Sequence, residues 1–138
     1  MEPLPNPLSP QIPEHAKRIL LVEDDDALAS VYITRFQAEG FDVKRVPNGE
    51  DALAMALQFK PDLLVLDVMM PKLSGFDVLD ILRNTPETIN IKVIMLTALS
   101  QDADREQAEK LGVDAYLVKS QVVIADVVAK VKEHLGVA

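Results

Sequence analysis

Two short runs, LLVL at 63–66 and VIML at 93–96, are apolar at every position and too short for buried helices. A strand that is apolar on both faces must be covered on both faces, which is the condition of a central strand in a parallel sheet flanked by helices. Three more short segments alternate with helix-like stretches in the same way, so the chain reads as five βα units. The expected strands are 18–22, 42–46, 63–66, 93–96 and 115–118. The second of these, DVKRV, interleaves charge with apolar residues and suits an edge. A chain of 138 residues, 49% of them hydrophobic, is enough for one core and one domain.

The helices follow from the 3.6-residue period. Helix one is expected over 26–39 with Leu28, Val31, Tyr32 and Phe36 inward and Gly40 ending it. Helix two follows Asn48 and is expected to bury Ala52, Leu53, Ala56 and Leu57; helix three starts near Gly75 with Leu79 and Leu82 inward. Helix five carries Ile124, Val127, Val128, Val131 and Leu135 at helical spacing. Helix four, QDADREQAEKLG, offers only alanines and Leu111 to a core, so it is expected to be the least firmly packed and a moving part. Residues 1–16 hold five of the nine prolines and little that packs, so a disordered proline-rich leader is expected there, ahead of a folded domain at 17–138.

Several function classes are excluded by composition. There is no cysteine, hence no disulfide, thiol nucleophile or thiolate metal site, and any metal must be held by oxygen or imidazole. A formal net charge of −8 opposes direct binding to nucleic acid or to an anionic membrane surface. No apolar run approaches the roughly 18 residues of a membrane span, and the start lacks the pattern of a secretory signal, so a cytoplasmic location is expected. The five glycines are too scattered for a dinucleotide fingerprint. His15 and His134 stand alone and are read as solvated.

What remains is the set of residues that follow the strands. In a parallel α/β sheet, ligands gather beyond the carboxyl ends of the strands. Strand one runs into Glu23 and Asp24, strand three into Asp67, strand four into Thr97 and strand five into Lys119; only the edge strand delivers no polar group to that rim. Singly, each has a plain explanation: Asp25 and Asp26 as helix-capping acids, Thr97 as a cap for helix four, Lys119 as a solvated lysine, Asp67 as a turn residue. Together they form a constellation with chemistry. Three carboxylates in one crevice call for a cation, and Mg²⁺ takes oxygen ligands while keeping several waters. A carboxylate beside the metal can act as a nucleophile toward phosphorus, with an ammonium and a hydroxyl neutralising the transferred group. Asp67 is the expected nucleophile, Glu23 and Asp24 the metal ligands, and Lys119 and Thr97 the phosphoryl contacts.

The segments ILLVEDD, PDLLVLDVMMPKLSG, VIMLTA and AYLVK, in this order and spacing, resemble the receiver domains of two-component response regulators, from Lys17 to about Leu135. The resemblance implies a flavodoxin-like (βα)₅ fold, a doubly wound three-layer parallel sheet in strand order 2-1-3-4-5. It also implies phosphotransfer from a sensor histidine kinase or phosphotransferase to Asp67, and a backbone carbonyl of Met69 as a further Mg²⁺ ligand. Thr97 and Tyr116 are implied to be switch residues that rearrange the face of helix four, strand five and helix five for a downstream protein or a fused output domain. The same face is where a dimer of an otherwise monomeric domain would form. Such a domain is a phosphoacceptor that catalyses its own phosphorylation and dephosphorylation, not a turnover enzyme. Read without the resemblance, Tyr116 is a partly buried strand aromatic with its hydroxyl in water.

Departures from the family pattern carry expectations of their own. Ser120 follows Lys119 where most members have proline, and a cis bond before serine would cost about 3 kcal/mol, so a trans peptide is expected. Met69 and Leu99 stand where other members often carry polar groups, so phosphate is expected to leave Asp67 slowly. Two rival readings fit the residues less well. An aspartate-nucleophile phosphohydrolase needs a second acid two residues after the first, and Met69 occupies that position. A phosphorylation-independent binding module would not need the complete acid, hydroxyl and lysine set.

Overall fold

A computed structural model describes residue 12 and residues 15–138; most of the expected leader lies outside the described residues. The elements are β1 (Arg18–Val22), α1 (Asp26–Ala38), β2 (Asp42–Val46), α2 (Gly49–Phe59), β3 (Leu63–Leu66), α3 (Gly75–Arg83), β4 (Lys92–Thr97), α4 (Asp102–Lys110), β5 (Ala115–Val118), a 3-10 turn (Lys119–Gln121) and α5 (Ile124–Leu135). The sheet has the order β2-β1-β3-β4-β5, and every pairing is parallel. This is the expected doubly wound (βα)₅ arrangement. β4 extends one residue beyond expectation at each end, because Lys92 pairs with Leu63 and Thr97 with Val118.

Side-chain alternation along each strand divides the core in two. Ile19, Leu21, Leu63, Val65, Ile94 and Leu96 face α1 and α5, while Leu20, Val22, Leu64, Leu66, Val93 and Met95 face α2, α3 and α4. Burial of each such side chain stabilises the fold by roughly 1.5–3 kcal/mol, which is why β3 and all of β1 after its exposed first residue, Arg18, are apolar.

Local chemistry sets the helix ends. The Asp25 carboxylate accepts from the Leu28 N–H at 3.0 Å and caps α1, and the Asn48 side chain accepts from the Asp51 N–H at 2.8 Å to cap α2. Ser74 and Asp77 form a reciprocal capping box at the start of α3. Gly40, at φ +92°, takes the left-handed conformation that turns the chain after α1. The plain explanation of Asp25 as a cap therefore holds.

Two inward assignments fail. Val31 is 54% exposed and Leu57 50% exposed, while Ala29, Ala52 and Ala56 are buried. Val31 lies two residues from Ala29 and so on the opposite side of α1 from the stripe through Ala29, Tyr32 and Phe36. Small side chains let these helices sit close on the sheet, and the larger residues are turned outward. α4 agrees with its composition: Ala108 is its one buried residue, and its N-terminus has no side-chain cap. Thr97 therefore does not cap it. Among the described residues no helix is long and apolar enough to cross a membrane.

Candidate phosphoacceptor and metal site

The parallel register delivers the site. Val22 pairs with Leu66 and Thr97 with Val118, so the residues at and just past these strand ends emerge at one rim. The Asp67 N–H donates to the Val22 carbonyl and the Glu23 N–H to the Val46 carbonyl, each at 3.2 Å, which continues the ladder one step past the strands.

The Lys119 ammonium donates to Glu23 Oε1 at 2.7 Å and to Asp67 Oδ2 at 2.9 Å. Both acids are buried, so Lys119 is no solvated rim lysine. One carboxylate oxygen from each of Glu23, Asp24 and Asp67 lies within 4.8 Å of the others. Asp24 is exposed, which leaves the cluster open to solvent on that side. Burial pushes the Glu23 carboxyl above its usual range, with the Asp67 charge adding to the rise and Lys119 opposing it. For Lys119, burial alone would favour the neutral amine, but hydrogen bonds and attraction from Glu23 and Asp67 outweigh it and raise its pKa. The site is thus a pair of buried acids held by one ammonium, with a third acid at its mouth. A hard divalent cation fits that donor set, because it would relieve the repulsion that the single lysine only partly offsets.

The loop after Asp67 is held by backbone contacts. The Met69 N–H donates to Asp67 Oδ1 at 3.1 Å, and the Gly75 N–H to the Val68 carbonyl at 2.9 Å. A Cβ on Gly75 would stand 2.7 Å from the Val68 Cα, so α3 starts pressed against the backbone of Asp67 and Val68 and only glycine permits it. The Met69 side chain is 55% exposed, and no acid stands in its place. The Lys119–Ser120 peptide is trans, as no cis bond occurs among the described residues.

Thr97 is fully buried, and its hydroxyl accepts from the Leu99 N–H at 3.3 Å. Tyr116 corrects the plain reading: its ring is buried, and its hydroxyl donates to the Leu99 carbonyl at 2.8 Å instead of to water. Burial raises its pKa, and the Asp104 charge adds to the rise. His134 is also corrected, for its Nε2 is buried and has no partner among the described residues.

Two residues went unseen in the sequence. The edge strand does reach the rim: Arg45 donates from Nε and Nη2 to the Glu23 carbonyl at 2.9 and 2.6 Å, and from Nη1 to Asp26 at 2.8 Å. It holds the acidic loop after β1 by two separate points. The other is Arg105 of α4, which stacks over Tyr116 with its guanidinium carbon 5.0 Å from the ring centroid. The one signal for Arg45 was the alternating charge of DVKRV, which served equally well to mark an edge.

Residues 19–132 match the family model described as the response regulator receiver domain. The DNA-binding dual master transcriptional regulator RpaA of Synechocystis is 41% identical over 102 residues, covering 74% of this chain and 42% of that protein. A response regulator of Chloroflexus aurantiacus superposes with a TM-score of 0.82 at 29% identity, covering 88% of this chain and 98% of that one. The Mn²⁺-bound form of response regulator Rcp1 does so with a TM-score of 0.74 at 26% identity, covering 85% and 92%. The chain spans less than half the length of the curated relatives it matches, and RpaA is named as DNA-binding, so the expected exclusion of nucleic acid does not extend to full-length relatives. With motif order, strand order and site geometry in agreement, the chain belongs to the receiver domain family of two-component response regulators.

Proposed function

We propose that Asp67 accepts a phosphoryl group from the phosphohistidine of a sensor kinase or phosphotransferase. The observation that carries this is the Lys119 ammonium bonded at once to Glu23 and Asp67 beside Asp24. In the reaction an Asp67 oxygen attacks phosphorus, a P–O bond forms, and the P–N bond to the donor imidazole breaks with its electron pair returning to nitrogen. Lys119 exchanges its bond to Asp67 for one to the incoming phosphoryl oxygens, and the Thr97 hydroxyl donates to another. Glu23, Asp24, Asp67 and the Met69 carbonyl would hold Mg²⁺, which supplies neutralisation of the phosphoryl charge. The resulting dianion turns the Thr97 hydroxyl toward itself and biases the face of α4, β5 and α5 toward a partner or a second copy. The domain acts as a switch without turnover of a free substrate.

The likeness to DNA-binding regulators supports an output in which this domain controls a DNA-binding domain elsewhere in a longer protein. The receiver's own net charge of −8 keeps it off the DNA in that arrangement. The test is incubation with acetyl phosphate and Mg²⁺, followed by intact mass. The native chain gains one phosphoryl mass as a base-labile adduct, and Asp67→Asn gains none; equal labelling of both would overturn the assignment.

A further inference from the structure

Tyr116 joins three elements. Above its buried ring, 5.0 Å from the centroid, lies the guanidinium carbon of Arg105, whose Nη1 also donates to the Tyr116 carbonyl at 3.2 Å. At the other end the Tyr116 hydroxyl donates to the Leu99 carbonyl at 2.8 Å, and the N–H of the same Leu99 donates to Thr97 Oγ1 at 3.3 Å. A continuous path of contacts therefore runs from α4 through β5 to the threonine at the end of β4. α4 has little else to hold it, with Ala108 its one buried residue.

We propose that Arg105 is a positioning residue: it holds the Tyr116 ring in its buried orientation and, through Leu99, sets the Thr97 hydroxyl, so that the seating of α4 biases phosphoryl uptake at Asp67. The functional half rests on Asp67 being the phosphoacceptor; the positional half does not. A guanidinium makes both contacts from one side chain, its carbon lying over the ring while Nη1 donates to the carbonyl. Lysine can keep a charge over the ring but offers no such planar fork. When α4 moves, Arg105 leaves, the outward state of Tyr116 gains population, and the Leu99 peptide loses its anchor.

The chain has two tyrosines, so ¹³C-labelled tyrosine NMR reports Tyr116 with Tyr32 as an internal control. In Arg105→Ala the Tyr116 ring signals move toward those of a solvated tyrosine, those of Tyr32 stay, and phosphoryl uptake from acetyl phosphate with Mg²⁺ slows about fivefold, the size of one stacking contact and one hydrogen bond. Arg105→Lys, the milder variant and the one to rely on if Arg105→Ala does not fold, shifts the ring part of the way. In a Tyr116→Ala background, Arg105→Ala slows uptake no further. Unmoved Tyr116 signals in both variants, or the same slowing without the tyrosine, overturn the proposal. A moved ring in a chain that takes up no phosphoryl group upholds the positioning role and overturns the phosphoacceptor reading.

Discussion

The Lys119 ammonium stands 2.7 Å from Glu23 Oε1, a contact between residues 96 positions apart that closes the site from the far end of the chain. Together with the Arg45 hydrogen bonds to the Glu23 carbonyl, it explains how four successive acids, Glu23 to Asp26, coexist at one strand exit. Two of the acids face cations, one caps a helix, and Asp24 remains at the open mouth.

Removing Lys119 leaves two buried carboxylates facing each other with no cation. Lys119→Ala should lower stability by about 1–3 kcal/mol in the absence of divalent ions, less than a fully buried pair would show because the lysine is partly exposed. Added Mg²⁺ should recover most of it. Urea midpoints with and without Mg²⁺ check this; a variant as stable as the native chain in metal-free buffer would show that the pair does not hold the rim.

Gly75→Ala places a methyl group against the Val68 backbone, where neither side can retreat without moving Asp67 or α3. The expected cost is about 1–3 kcal/mol of overpacking, together with slower phosphoryl uptake. Gly40→Ala is the control, since no atom lies within 4 Å of a Cβ there and only its positive φ is strained. Uptake unchanged in Gly75→Ala would disconnect the α3 start from Asp67.

Glu39 joins α1 to α5. Hydrogen bonds from Lys132 and then Arg35 lower its pKa below the usual 4.5. A folded pKa below the unfolded one means stability that is present above pH 4.5 and lost as pH falls through the lowered value. Thermal midpoints of the native chain and Glu39→Gln should therefore differ at pH 7 and converge in acid below that value. A gap that widens on acidification would reverse the sign of the argument.

Slow loss of phosphate is expected because Met69 and Leu99 present no polar group to orient an attacking water. Once the chain is phosphorylated and the donor removed, Leu99→Asn or Met69→Asn should shorten the adduct's half-life about tenfold, less than the roughly 10²–10⁴ of a general base because an amide orients the water without taking its proton. Decay followed by mass, equally fast in the native chain and both variants, rules the idea out.

The strand positions, their exits and the family's motif set are readable without coordinates, because a strand's period and the residue that follows it are local properties. LLVL and VIML could sit nowhere but between covered faces, and Glu23, Asp67, Thr97 and Lys119 could not avoid the same rim once the strands were parallel. Even the weak seating of α4 was written in its alanines and charges.

Other features depended on distances between segments that the period does not encode. Val31 and Leu57 turned outward because alanines on the same helices allow closer approach to the sheet, a packing outcome that hydropathy misorders. Arg45 reached the acidic loop only because β2 lies beside β1 in register, Arg45 opposite Leu21, and Arg105 met Tyr116 only because the fold brings α4 within side-chain reach of β5. Sequence by itself settled which residues leave which strand; the tertiary structure decided which long side chains bridge them, because a side chain's reach acquires a target only after the backbone has placed one there.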